Sequence, residues 1–150
     1  MSIIEQLVTS FIASAGFGII FNVPKESLLK CGFVGMVGWI AYILLSNGGI
    51  DIVLATVIAS FIVAVISQYF AKTYKTPIII FTVAGIIPLV PGGLAYDAMR
   101  NFVENDYNMA INLAAKAFMI SGSIAMGLVF SEAINQAIRK SKHRLTRTLR

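Results

Sequence analysis

Charge is scarce in this sequence: 13% of its 150 residues are Asp, Glu, Lys or Arg, while 57% are hydrophobic and the mean hydropathy is +0.82. Such a balance excludes an ordinary soluble domain and defines an integral membrane protein. One span needs about 20 apolar residues, so the chain has room for about four to six spans and for no separate soluble domain. Cysteine occurs once, at Cys31, which excludes an intramolecular disulfide and suits a small buried side chain. Histidine also occurs once, at His143 near the C-terminus. The sequence holds no P-loop, no Gly-x-Ser-x-Gly, no His-Glu-x-x-His and no Cys-x-x-Cys. Ser121-Gly122-Ser123 has no base to activate it. We therefore expect no enzyme, no catalytic residue, no metal and no cofactor. The N-terminus shows neither a basic region nor a cleavage site, so the first apolar segment is expected to be a span and not a signal peptide.

The apolar segments fall at about Ile3 to Phe21, Cys31 to Ser46, Ile52 to Phe70, Pro77 to Pro91 and Met109 to Ala137. Small and polar residues recur every fourth position in the first, as Gln6, Ser10, Ser14, Gly18 and Asn22, and in the third, as Thr56, Ser60, Ala64 and Gln68. Four-residue spacing draws one ridge on a helix, which either lets helix backbones approach or lines a polar path. Gly32, Gly35 and Gly38 thin the second helix in the same sense. The last helix carries two ridges, Ala117, Ser121 and Ala125, and Ser123, Gly127 and Ser131. Asp51, after the turn Asn47-Gly48-Gly49-Ile50, suits the N-terminus of the third helix.

The fourth segment is interrupted. Within Ile86-Ile87-Pro88-Leu89-Val90-Pro91-Gly92-Gly93-Leu94-Ala95-Tyr96, a continuous helix would lose the bonds of Pro88 to the Ala84 carbonyl and of Pro91 to the Ile87 carbonyl. From Pro77 to Pro91 is roughly 21 Å of helix, short of a hydrocarbon core of about 30 Å. The break therefore lies inside the membrane, in its farther half, where it survives only if protein or a water-filled cavity receives the freed backbone groups. Leu94, Ala95, Ala98, Met99 and Phe102 then form the apolar stripe of a short amphipathic helix.

This break predicts a binding site. The carbonyls of Ala84 and Ile87 are expected as acceptors, and the amides of Gly92, Gly93 and Leu94 as donors at the positive end of a helix. Acceptors beside donors suit a zwitterion. A dicarboxylate uses only the donors and needs Arg100 or Lys116 for the rest. Asp97 competes with an anion in the first helical turn, and is either a proton carrier or an interface partner of Arg100 at i+3. Lys116 either meets substrate or snorkels to the headgroups.

Charge sets the expected orientation. Lys25, Lys30, Lys72, Lys75 and the basic stretch Arg139, Lys140, Lys142, Arg144, Arg147 and Arg150 fall on one side, and Arg100 on the other. The positive-inside rule then places the N-terminus outside and the C-terminus inside. Residues 1–138 are expected as a five-span membrane domain and residues 139–150 as a basic cytoplasmic tail that contacts anionic lipid. Nucleic acid is not an expected partner, despite a net charge of +5. Gly18-Ile19-Ile20-Phe21-Asn22-Val23-Pro24 and Gly85-Ile86-Ile87-Pro88-Leu89-Val90-Pro91 share five of seven residues. Under this topology they run in opposite directions, as in an inverted repeat, although Ile- and Gly-rich sequence also produces such echoes by chance.

Pro88-x-x-Pro91-Gly92-x-x-Ala95-Tyr96 in the fourth of five expected spans, with Phe21-Asn22-Val23-Pro24 after the first, resembles the threonine/serine exporter (ThrE) family, in particular its small YjjB-like membrane subunit. The resemblance covers essentially the whole chain. It implies a secondary exporter of small polar metabolites in the inner membrane, with hydroxy amino acids or succinate-type dicarboxylates as substrate. It also implies half of a split transporter, with a larger ThrE-type membrane subunit as partner. The family motif falls on Pro88, Pro91, Gly92 and Tyr96; Gly93, Asp97, Arg100 and Lys116 join the substrate-binding candidates on physical grounds. The rival expectations are a non-transporting assembly or regulatory subunit and a homo-oligomeric channel.

Overall fold

The computed structural model describes the backbone of residues 3–148 and the side chains of residues 3–140. The described residues are all-helical, with no strand among them. The helices are α1 (Ile3–Ile20), α2 (Lys25–Asn47), α3 (Ile52–Tyr74), α4 (Ile78–Ile86), α5 (Gly92–Val103) and α6 (Tyr107–Thr148), with a 3₁₀ turn at Ile87–Leu89 between α4 and α5. Helices α1, α2, α3 and α6 are each long and apolar enough to cross a membrane. The bent pair Ile78–Leu89 and Gly92–Val103, meeting at 53°, is either a broken fifth span or a re-entrant loop. The expected all-helical architecture is found, with four to five helices apolar enough to span a membrane and the fourth apolar segment broken at its prolines.

Local chemistry explains the ends. The Asp51 carboxylate accepts the Val53 N–H at 3.0 Å and caps α3, as its position at the head of an apolar run predicted. Asp106 does the same for α6, accepting from Met109 N–H at 3.1 Å. Three left-handed residues, Asn22, Lys75 and Asn105, follow the ends of α1, α3 and α5; asparagine tolerates that conformation because its short side chain bonds locally. Two boundaries differ from expectation. α2 begins at Lys25, so Lys25, Glu26 and Lys30 are helical and not loop, with Pro24 at the N-cap position and Glu26 near the positive helix end. α6 runs to Thr148, far beyond Ala137, because no helix breaker interrupts the basic stretch. The side chains expected to form the basic tail, Lys142, His143, Arg144, Arg147 and Arg150, lie outside the described residues.

Helix α2 is central, packed by α1 and α3, with α4 and the 3₁₀ turn also against it; α6 covers another face of α3, and α5 packs chiefly on α6. Lipid is as apolar as a protein interior, so these helices associate through close packing and interhelical hydrogen bonds more than through the hydrophobic effect. The ridges supply that packing. Ser10, Ser14 and Gly18 of α1 are buried, as are Thr56, Ser60, Ala64 and Gln68 of α3. A Cβ at Gly35 would collide with Ser14 Oγ and come within 3.4 Å of Pro88, so one glycine lets α1, α2 and the broken helix meet. Of the two ridges on α6, Ser123, Gly127 and Ser131 are buried, whereas Ser121 and Ala125 are exposed.

Two apolar clusters hold the centre. Val34, Ala59, Val63, Leu89 and Ile124 join α2, α3, the 3₁₀ turn and α6. Val23, Cys31, Phe81 and Ala84 lie towards the other end, with Cys31 buried as expected and its thiol donating to the Ile80 carbonyl at 3.6 Å. Phe81 meets Phe70 edge-on at 5.7 Å between centroids, a geometry worth about 0.5–1.5 kcal/mol beyond its area. Burial of Leu89 in the first cluster pins the break to the bundle core.

Candidate functional site

Two prolines three residues apart leave the backbone few options. After α4 ends at Ile86, the chain tightens into the 3₁₀ turn, and Val90 N–H donates to the Ile87 carbonyl at 3.2 Å. The Ile87 carbonyl, expected to be free, is therefore reused locally: shortening the repeat from four residues to three restores a bond that Pro91 cannot make. Gly92 N–H is likewise taken, donating to the Val90 carbonyl at 2.8 Å. The first α5 amide bonded to its own helix is Ala95 N–H, to the Pro91 carbonyl at 3.1 Å. Between them, the Gly93 and Leu94 N–H groups occupy first-turn positions with no intrahelical carbonyl, and Pro91 supplies no side-chain cap.

Both residues border a cavity of about 250 Å³. The break forms one wall with Pro88, Leu89, Val90 and Pro91; Trp39 and Tyr42 of α2, Thr56 of α3 and Ile120 of α6 form the rest. Trp39 and Tyr42 stack obliquely at 5.4 Å, which rigidifies the α2 side. Thr56 is almost completely buried, and its hydroxyl donates to the Ile52 carbonyl at 2.7 Å, which leaves its lone pairs available. The chemistry on offer is small and neutral: two helix-end amides, a phenol, a hydroxyl, an indole and an apolar floor.

The structure brings together only part of the predicted set. Pro88, Pro91 and Gly93 line the cavity; Gly92 adjoins it, but its amide is spent in the turn. Tyr96, Asp97 and Arg100 do not line it. Helix α5 lays its apolar stripe, with Ala95, Ala98, Met99 and Phe102, towards α6 across an open groove, so its polar face turns outward and Tyr96 is 69% exposed. Arg100 pairs with Glu104, one turn on, at 2.9 Å, and not with Asp97 at i+3. Lys116 is exposed on α6. Sequence reasoning did not name Trp39, Tyr42, Thr56 or Ile120 as site residues. Thr56 was visible as the first member of the α3 ridge, but nothing in the pattern of α2 or α6 pointed Trp39, Tyr42 or Ile120 at the break.

A multi-pass helical membrane protein with one interrupted span, and a small polar-edged cavity at the interruption, has the anatomy of a membrane transporter for small solutes. Residues 6–134 match the family described as "Threonine/Serine exporter, ThrE", and the chain belongs to that family. No solved structure matches the chain.

Proposed function

We propose that this chain is the small membrane subunit of a secondary exporter for hydroxy amino acids, with its substrate cavity at the broken fourth span. The observation that carries the reading is the cavity itself. At about 250 Å³ it is just below the range of about 300–1,000 Å³ usual for ligand sites, which suits a solute of amino-acid size. Its lining includes no charged side chain, so a dicarboxylate would find the two amides and no cation. A hydroxy amino acid fits better: its carboxylate meets the Gly93 and Leu94 amides, and its hydroxyl meets Thr56 or Tyr42. Succinate-type export would need Arg100 or Lys116 to turn inward, or a cation from another subunit.

A larger ThrE-type partner belongs to the same proposal. Its support is the exposed Ser121 and Ala125 of the second small-residue ridge on α6, which would let another helix approach closely. The membrane is the bacterial-type inner membrane in this reading, and a proton or solute gradient drives export.

Gly93→Leu is the test. Gly93 lines the cavity and a Cβ there meets nothing within 4 Å, so a leucine adds bulk at its rim without disturbing the backbone. With the chain and its larger partner co-reconstituted in loaded vesicles, efflux of serine and threonine should fall to background while the complex still assembles. Loss of assembly would indicate a structural or regulatory subunit instead. Non-saturable flux without a gradient would indicate a channel, and full transport by this chain alone would refute the split arrangement.

A further inference from the structure

The cavity at the break is one end of a seam between α3 and α6. Along it the buried α3 ridge, Thr56, Ser60, Ala64 and Gln68, faces Ser123, Gly127 and Ser131 of α6. Midway the seam is shut: a Cβ at Gly127 would strike Ser60 Oγ and the Val57 carbonyl. At the far end it opens again into a second cavity of about 250 Å³, lined by Gln68, Ala71, Lys72, Glu132, Asn135 and Arg139. This cavity differs in kind from the first, since it holds two cations, one carboxylate and two amides.

Helical spacing explains the convergence. Gln68 and Lys72 are one turn apart on α3, and Glu132, Asn135 and Arg139 lie at i, i+3 and i+7 on α6, so each set shares a face. The groups are held in position. Gln68, only 9% exposed, donates through Nε2 to Ser131 Oγ at 3.1 Å and lies 3.5 Å from Glu132 Oε2. Gln136 Nε2 donates to Glu132 Oε1 at 3.1 Å, and Lys72 Nζ donates to Asn135 Oδ1 at 3.0 Å. Glu132 is open to the cavity mouth, and neither amide donor neutralises its charge. These charges stand at one end of the bundle, where a polar solute would first meet the seam.

We propose that Gln68, Lys72, Glu132, Asn135 and Arg139 form a second binding site, for a small zwitterionic α-amino acid. Lys72 and Arg139 receive the carboxylate, Glu132 receives the ammonium, and the Gln68 and Asn135 amides are within the site for a side-chain hydroxyl. A dicarboxylate or a bare phosphate is disfavoured, because Glu132 repels it. The site lies at the opposite end of the seam from the break. This makes it the entry station of a path whose far end is the cavity of the proposed exporter, and to that extent it rests on that reading.

Equilibrium binding of radiolabelled L-serine to the purified full chain in phosphatidylcholine nanodiscs tests it, with succinate as competitor. Saturable serine binding is expected, with little competition by succinate. Glu132→Gln should weaken serine binding at this site by about tenfold or more, through the loss of one charge-assisted contact. Two serine sites per chain are expected, one at each cavity, so Lys72→Gln combined with Arg139→Gln should leave only the break site and Gly93→Leu should leave only this one. A folded monodisperse peak in size-exclusion chromatography qualifies each variant, and if Glu132→Gln fails that check the Lys72/Arg139 pair carries the test. No serine binding, or binding lost in Gly93→Leu and unchanged in the other variants, overturns the site. Serine binding unaffected by the Lys72/Arg139 pair, together with loss of phosphatidylglycerol retention, would identify a lipid-headgroup contact and also overturn it. If the binding results hold but Gly93→Leu exports normally, the reading of the break fails and this site stands.

Discussion

Glycine at position 127 shows how one residue sets what the α3–α6 seam can do. The buried Ser60 hydroxyl and the Val57 carbonyl sit where its side chain would be. The serine could rotate, but the carbonyl belongs to a helix and cannot. Gly127→Ala should therefore force the helices apart and cost about 1–3 kcal/mol, as overpacking generally does. A lower thermal unfolding midpoint in detergent would register it, and an unchanged midpoint would show that the seam is looser than its geometry. The same separation would open the shut middle of the seam. Serine leak without a gradient is the functional counterpart to measure.

At the scale of the element, the question is what holds the fourth span bent by 53°. Two causes coincide: the prolines remove hydrogen bonds on one side, and Leu89, buried among Val34, Ala59, Val63 and Ile124, anchors the turn on the other. They can be separated. Pro88→Ala with Pro91→Ala restores both donors, and a regular helix through this stretch would absorb the amides of Gly93 and Leu94. We expect serine efflux to be lost, and maleimide labelling of a Gly93→Cys reporter to fall by at least about tenfold, because the cavity closes. Labelling and efflux that both persist would assign the bend to Leu89 and not to the prolines. Helix α5 responds to different forces, since its stripe leans on α6 and its charges satisfy one another, as Arg100 does with Glu104.

For the whole molecule, the ends of the bundle are chemically unequal. Helix α2 starts and α3 finishes at the same end, where Lys30 Nζ stands 3.3 Å over the ring of Tyr74 and Lys72 reaches Asn135. Arg139 borders the cavity at this end as well. On the positive-inside rule we propose that this end is cytoplasmic and that the break lies in the outer half of the membrane. A fluorescent protein fused to the C-terminus should accordingly be fluorescent, and a phosphatase fused there inactive. The reverse pattern would invert the path, making the charged cavity the exit and the break the entry.

Much of the architecture was legible in the chain because membrane proteins obey few and strong rules. Long apolar segments, Asp51 at a helix start and two prolines within an apolar run each have few physical outcomes in lipid, where an unbonded peptide group is costly. The ridges on α1 and α3 were legible for the same reason, since small residues at four-residue spacing have few uses other than close packing. What the sequence left open was direction. Pro88, Pro91 and Gly93 border the cavity by necessity, being the break itself, whereas Asp97 and Arg100, only a turn or two further, face away because α5 rotates its apolar stripe towards α6. Trp39, Tyr42 and Ile120 reach the break only because α2 and α6 pack beside it, and Asn135 meets Lys72 only because Gly127 lets α6 close on α3. Hydropathy and backbone bonding are local, so the residues of the fourth apolar segment dictate that it breaks and where. Which side chains surround that break, and that a second, charged cavity lies at the other end of the same seam, follows from helix rotations and close approaches between residues about 60 positions apart, which no local pattern encodes.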